Sequence, residues 1–340
     1  MKPVVFVIDA SVAVTGALVA ARREAELLGD CADFVLVVPS ECSVPDSALA
    51  AFAHVLRLPM PQIRKSTASV LSFAPRLIAS SFRIRRELRK RHCERVQLND
   101  FYLLHGAILR MLGFRGRIVT WIRFDPKRYG ALSKVLLAAA QRSSDAIVAV
   151  SRFIQSRLPA GLDTELVYES RSPEPFRPDP TESERRLVYV ANYIRGKGQN
   201  DAIAAFERVA ERFPDARLCF VGGDMGLEKN RAYRTELEKT AKRGPAAGQI
   251  EFGGPVDDLA PAYTGAYAAL NFSASESFSL TCQDASAFGL PLIATRSGGP
   301  QEIVDDGVTG FLVPVGDVDA MADRLERLPI TMRTTSRDFH

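Results

Sequence analysis

The chain has 340 residues and a mass of 37.3 kDa, with 46% hydrophobic residues, 25% charged residues and a mean hydropathy of -0.02. These values exclude a disordered chain, a collagen-like chain and a membrane bundle, and the length fits two domains. The net charge of +4 is unevenly spread: residues 1–170 carry 24 Lys and Arg against 15 Asp and Glu, a net +9, whereas residues 171–340 carry 20 against 25, a net −5. The basic half is therefore expected to face something anionic.

The first segment, Val4–Ile8, reads as a strand and not as a secretory leader, because Asp9 interrupts the apolar stretch and only Lys2 precedes it. A helix is expected over Gly16–Leu28, then strands at Asp33–Val38 and Arg95–Leu98. A helix over Leu103–Leu112, a strand at Arg117–Ile122, a helix over Tyr129–Arg142 and strands at Ala146–Val150 and Glu165–Tyr168 follow. Between the second and third strands lies a run, Arg83 to His92, with six cations and one acid, preceded by Val70, Leu71, Phe73, Leu77, Ile78 and Phe82. It fits a solvated helix face or a basic amphipathic surface resting on anionic lipid. It lacks the interleaved aromatics of a nucleic-acid binder, so no nucleic-acid partner is expected.

The alternation stops at Ser170 to Glu184, where Pro173, Pro175, Pro178 and Pro180 remove amide donors and favour an extended linker. It resumes with strands at Arg186–Val190, Ala216–Val221, Ile250–Phe252, Ala268–Asn271 and Leu292–Thr295, and helices at Gln199–Arg212, Lys229–Lys242, Leu280–Gly289 and Val318–Leu328. The expected fold class is α/β: two doubly wound Rossmann-like domains, residues 1–170 and 185–328, joined by a linker at 171–184, facing across a cleft and followed by a tail at 329–340. Five scattered cysteines without a CxxC support neither a disulfide framework nor a zinc site, and point to a reducing cytoplasm.

Three loops of the second half carry the chemistry. Ser275 to Asp284 follows a buried strand and opens a helix, whose first amides suit a phosphate or a sugar hydroxyl. Glu276 and Asp284 accept hydrogen bonds from hydroxyls, which points to a ligand that bears both groups. In Ala294 to Glu302 the adjacent Gly298 and Gly299 admit a close backbone approach. Val190 to Gly198 places Arg195 and Lys197 on a glycine-containing loop fit for a diphosphate. Asp317 and Asp319 mimic a metal-binding pair, but their place before a helical pattern makes Asp317 a cap.

The order Lys197-Gly198, Val221-Gly222-Gly223, Glu276-x-Phe278, Gly298-Gly299-Pro300-Gln301-Glu302-Ile303-Val304 and Asp306-Gly307-Val308-Thr309-Gly310 resembles glycosyltransferase family 4, with its GT-B fold. The resemblance runs from about residue 144 to 328. It implies a retaining transfer of a sugar from a nucleotide-sugar donor, with no metal and no cofactor beyond the substrate. It assigns catalytic roles to Glu276, Lys197 and Arg195, and donor contacts to Asn192, Phe278, Ser279, Leu280, Asp284, Gly298 and Gly299. In the amino domain it points to Gly16, Arg123 and Asp125 as cleft residues.

This sequence departs from the family in five places, of which the first is the loop after strand one, Val14-Thr15-Gly16-Ala17, with one glycine instead of two. Asp284 replaces the second Glu of the family's carboxylate pair, and Asn192 stands where an Arg is frequent. The stretch Thr120 to Asp125 lacks the family's amino-domain His, and few residues remain for its closing helix. Two alternatives stay open: a non-catalytic nucleotide-sugar-binding pseudo-glycosyltransferase and a GT-B nucleotide-sugar epimerase. The expected acceptor is a lipid-linked or envelope glycan, and the expected location is cytoplasmic and peripheral on the inner face of the membrane.

Overall fold

The computed structural model describes residues 2–61, 67–169 and 185–328. The chain divides into two compact units, Met1–Ser172 and Pro173–His340. The linker and tail expected at 171–184 and 329–340 lie outside the described residues.

Unit 1 runs β1 (Val4–Ile8), α1 (Gly16–Leu28), β2 (Asp33–Pro39), β3 (His54–Leu58), α2 (Thr67–Lys90), β4 (Arg95–Leu98), α3 (His105–Met111), β5 (Arg117–Ile122), α4 (Leu132–Ser143), β6 (Ala146–Ala149), α5 (Arg152–Arg157) and β7 (Glu165–Leu166). Its seven strands form one parallel sheet in the order β3-β2-β1-β4-β5-β6-β7. The central strands are near-continuous apolar runs because helices cover both faces. Phe6 and Ile8 point into one layer with Val35, Val37, Ile84 and Leu88, while Val7 packs with Leu18, Ala21 and Leu36 in the other. Thr15 caps α1, its side chain accepting from the Leu18 amide.

β3 and the full length of α2 are additions to the sequence reading. β3 is an edge strand of half-buried residues, so it lacks a buried-strand signature. α2 hides its period because apolar side chains lie on both of its faces. Leu77, Ile84 and Leu88 are buried, whereas Leu71, Ile78 and Phe82 are exposed, and Pro75 sits within the helix. Among the described residues no helix is long and apolar enough to cross a membrane.

Unit 2 runs β8 (Arg186–Val190), α6 (Gln199–Glu207), β9 (Arg217–Val221), α7 (Glu228–Arg243), β10 (Ile250–Phe252), α8 (Ala260–Tyr263), β11 (Ala268–Asn271), α9 (Leu280–Ala287), β12 (Leu292–Thr295), α10 (Pro300–Ile303), β13 (Gly310–Val313) and α11 (Val318–Glu326). Six parallel strands take the order β10-β9-β8-β11-β12-β13. β13 went unanticipated because it is short and begins on a glycine. Gly310 is required there, since a Cβ would stand 2.1 Å from the Leu292 carbonyl oxygen on β12. Asp317 does cap α11, through a 3.0 Å bond from the Ala320 amide.

Both units share one topological feature. Each sheet starts in the middle, grows outward to one edge, then returns to the other side of its first strand. The carboxyl ends of β1 and β4, and of β8 and β11, therefore flank the point where connections diverge and a crevice opens.

Candidate functional site

Lys197 lies on the loop after β8, and Glu276 on the loop after β11, so the switch point of unit 2 brings them together. Lys197 Nζ donates to Glu276 Oε1 at 2.7 Å, and Ser273 Oγ donates to the same oxygen at 2.7 Å. Burial alone would raise the Glu276 carboxyl. The Lys197 charge and hydrogen bonds from Lys197, Ser273 and Asn271 outweigh it and hold the group below its ordinary range. The Glu276 carboxyl thus stays ionised at neutral pH.

The two loops are fastened to each other through the backbone. The Tyr189 hydroxyl donates to the Lys197 carbonyl and accepts from the Phe272 amide at 2.7 Å. The Ala274 amide donates to the Gly196 carbonyl at 2.9 Å. Gly198 has a φ of +76° and lies against Phe272, where a Cβ would meet the carbonyl oxygen at 2.1 Å. Only glycine permits that approach.

The Gly298-Gly299 loop clamps Glu276 from the other side. The Glu276 amide donates to the Ser297 carbonyl at 3.0 Å, and the Gly299 amide donates to the Glu276 carbonyl at 2.9 Å. A Cβ on Gly299 would sit 2.2 Å from both the Phe278 Cα and its carbonyl oxygen. Ser279, at a φ of +87°, caps α9 and receives a 3.1 Å bond from Asn271 Nδ2. α9 opens at Leu280, and the first amides of a helix lack intrahelical acceptors, as an anion site requires. Asp284 lies on the buried side of α9. Burial pushes the Cys282 thiol up to about 12, which makes it an inert packing group.

The other expected residues sit differently. Arg195 pairs with Glu236 of α7 and lies 4.7 Å from the Tyr233 ring centroid, in an exposed position. Asn192 fastens the β8 loop, its Oδ1 accepting from the Gly223 amide at 3.2 Å and its carbonyl from Gln199 Nε2 at 2.9 Å. Gly16 opens α1, and nothing stands within 4 Å of a Cβ built on it. Arg123 is buried, bridged to Glu169 and, at 3.1 Å, to Glu24, with its guanidinium 4.2 Å from the Trp121 ring centroid. Asp125 caps the turn at Pro126–Tyr129 through the Lys127 amide at 3.0 Å and pairs with Arg157 at 3.4 Å. Among the described residues no three His, Cys, Asp or Glu side chains gather in a metal-holding cluster.

Tyr189, Asn271, Ser273 and Thr295 escaped the sequence reading. Each lies in or beside a buried strand, where a polar side chain carries no local mark of its tertiary partner. Thr295 Oγ1, for instance, donates to the Ser273 carbonyl at 2.6 Å.

Two units, each a parallel sheet with alternating helices, are the α/β architecture of the GT-B fold. Residues 184–329 match the glycosyl transferases group 1 family. It is 29% identical over 227 residues to the N-acetyl-alpha-D-glucosaminyl L-malate synthase of Bacillus anthracis, covering 66% of this chain and 57% of that protein. It is also 29% identical over 253 residues to a GDP-mannose-dependent alpha-(1-6)-phosphatidylinositol monomannoside mannosyltransferase of Mycolicibacterium smegmatis, covering 64% of this chain and 62% of that one. Its fold is like that of Anabaena HepE, solved in complex with UDP-glucose, with a TM-score of 0.77 at 19% identity, over 94% of this chain and 88% of that one.

Proposed function

We propose that the chain is a retaining glycosyltransferase in which residues 185–328 bind a nucleotide-sugar donor and residues 1–170 bind the acceptor. The observation that carries this reading is the 2.7 Å Lys197–Glu276 pair, held by three loops at the switch point of the second sheet. The donors named for the Anabaena structure and the mycobacterial relative, UDP-glucose and GDP-mannose, support a nucleotide sugar.

The bond between the anomeric carbon and the diphosphate oxygen breaks as the acceptor oxygen bonds to the same face of that carbon. The acceptor proton passes to the leaving phosphate oxygen, so no strong side-chain base is needed. Lys197 and the amides opening α9 meet the growing negative charge, and Glu276 orients the sugar hydroxyls. Asp284 and Asn192 reach the rest of the donor; Arg195, on the same loop as Lys197, adds positive potential nearby. This chemistry calls for no metal.

The acceptor is a lipid-linked or envelope glycan, reached from the cytoplasmic face of a membrane. The outer side of α2 supports this: exposed Leu71, Ile78 and Phe82 lead along the helix into Arg86, Arg89 and Lys90.

The test is incubation with a panel of nucleotide sugars and membrane extracts, following nucleoside diphosphate release and the anomeric configuration of the product. Release that depends on Lys197 and Glu276, with a retained configuration, is expected. Interconversion of the donor without acceptor points instead to an epimerase. Donor binding without any turnover or hydrolysis points to a non-catalytic subunit.

A further inference from the structure

Asn271 ends β11, is buried, and holds a different part of the site with each end of its amide. Asn271 Oδ1 accepts from the Ser273 amide at 3.2 Å, and the buried Ser273 hydroxyl in turn donates to Glu276 Oε1 at 2.7 Å. Asn271 Nδ2 donates to Ser279 Oγ at 3.1 Å and to Thr281 Oγ1 at 3.3 Å, the residues on either side of Leu280, where α9 begins. Ser279 Oγ also accepts from the Cys282 amide at 3.4 Å, one of the amides that the helix itself leaves without an acceptor. A single buried side chain thus links the Glu276 carboxylate to the first turn of α9.

The backbone at Ser279 bears a cost for this link. It is held at a φ of +87° and a ψ of +81°, where L side chains are rarely found. The other non-glycine residues with positive φ among the described residues, His92 and Met225, are at least partly exposed, whereas Ser279 is buried. Glycine would take the same conformation without a Cβ penalty, but it would bring no hydroxyl to Asn271 or to the Cys282 amide. Backbone strain of this kind persists where the surrounding contacts over-determine it, and here those contacts are the two ends of the link.

We propose that Asn271 is a positioning residue for sugar transfer: through Ser273 and Ser279 it fixes Glu276 against the amino end of α9, and Ser279 holds its unfavourable backbone to complete that link. In the reaction given above, the carboxylate orients the sugar while the α9 amides meet the charge growing on the diphosphate. The two act on opposite sides of the bond that breaks, so their spacing bears on the transition state. Recognition of the base does not depend on it. The inference rests on the glycosyltransferase reading and adds to it the residue that spaces the two donor contacts.

Three variants of the full chain test the link, with nucleoside diphosphate release from UDP-glucose and GDP-mannose as the assay. Ser279→Gly relieves the backbone and removes the hydroxyl: its melting temperature is expected to hold while kcat falls about 10- to 100-fold, the effect of misplacing groups around a reacting bond. Ser279→Ala keeps the strain and loses the hydroxyl, so it should be both slower and less stable. Asn271→Ala should lower kcat likewise while affinity for uridine or guanosine is unchanged. Combined with Ser279→Gly it should lose little more, because both act on one link. Wild-type kcat in Ser279→Gly, or a double variant whose losses multiply, overturns the inference. Amide hydrogen exchange without ligand separates it from the reading beneath it. Asn271→Ala should speed exchange at the Cys282 amide, which is bonded to Ser279 and not to Asn271, and leave the last turn of α9 as it was. Unchanged exchange at Cys282 overturns the inference. Coupled exchange in a chain that transfers no sugar overturns the glycosyltransferase reading and leaves the Asn271 link standing.

Discussion

Lys197 and Glu276, 79 residues apart in the chain, share one charged hydrogen bond of 2.7 Å, and Glu276 is the more buried partner, at 13% side-chain exposure against 32%. Removing the lysine leaves burial acting on the carboxyl unopposed, so its pKa must rise. Lys197→Ala is expected to lose about 10- to 150-fold in kcat/KM, the equivalent of a charged hydrogen bond of about 1.5–3 kcal/mol. It should also move the acid limb of the pH–rate profile upward. Affinity for the free nucleoside should hold while affinity for phosphate-bearing ligands falls; equal loss for both argues for general disruption. Glu276→Ala should abolish most transfer with little change in melting temperature, because the residue lies in a loop, and near-normal turnover would remove it from the site.

Gly299 and Gly16 offer a matched contrast. Gly299 has an ordinary helical φ of −50°, so a substitution there meets no backbone strain, only the Phe278 backbone at 2.2 Å. Gly299→Ala should cost about 1–3 kcal/mol through overpacking and displace the Glu276 loop with it. Gly16→Ala meets nothing within 4 Å and should leave the melting temperature unchanged or slightly higher. A loss of acceptor turnover in that variant, at constant stability, would place the α1 amino terminus at the acceptor; unchanged turnover would remove it.

Vesicle sedimentation examines α2. Arg85 is held by the Leu112 and Gly113 carbonyls and lies 5.6 Å from the Phe114 ring centroid, so it is a packing residue and not a lipid contact. Changing Arg86, Arg89 and Lys90 to Gln should reduce binding to anionic vesicles, each contributing about 1 kcal/mol, and the remainder should fall with salt. Leu71, Ile78 and Phe82 changed to Ser should weaken binding without altering its salt dependence. Equal pelleting with neutral vesicles, or none with anionic ones, argues for a water-soluble acceptor.

His105 predicts an acid limit for unit 1. Burial lowers its pKa to about 4 from 6.5, and its Nε2 lies 3.0 Å from Ser80 Oγ between α2 and α3. Between those values the unfolded chain binds a proton that the folded chain refuses, so stability falls as pH drops through about 6.5 toward about 4. The loss reaches about 3 kcal/mol. His105→Leu should flatten that part of the profile, whereas parallel profiles for variant and wild type would show that the ring contributes nothing.

Much of this arrangement is legible without coordinates. Buried parallel strands such as Val4–Ile8 and Leu292–Thr295 announce themselves as short apolar runs, and glycine-bearing loops after such strands bring Lys197, Glu276, Gly298 and Gly299 together. β3 is less legible because its residues are at most half-buried, and α2 because apolar side chains lie on both of its faces. Arg123 and Asp125 illustrate a different limit. Their types and position fit a cleft, but Glu24 and Glu169, far away in sequence, claim the arginine, and the turn at Pro126 claims the aspartate.

Tyr189 reaches across two loops with one hydroxyl, giving a proton to the Lys197 carbonyl and taking one from the Phe272 amide. The loop that carries the cation and the loop that leads to the carboxylate are thereby one rigid body. Their configurational freedom is lost once, when the chain folds, and not again when a ligand arrives. A diphosphate meeting Lys197 would then bind without the cost of ordering these two loops, and its affinity would be set by the remaining costs, its own lost freedom and the water it sheds.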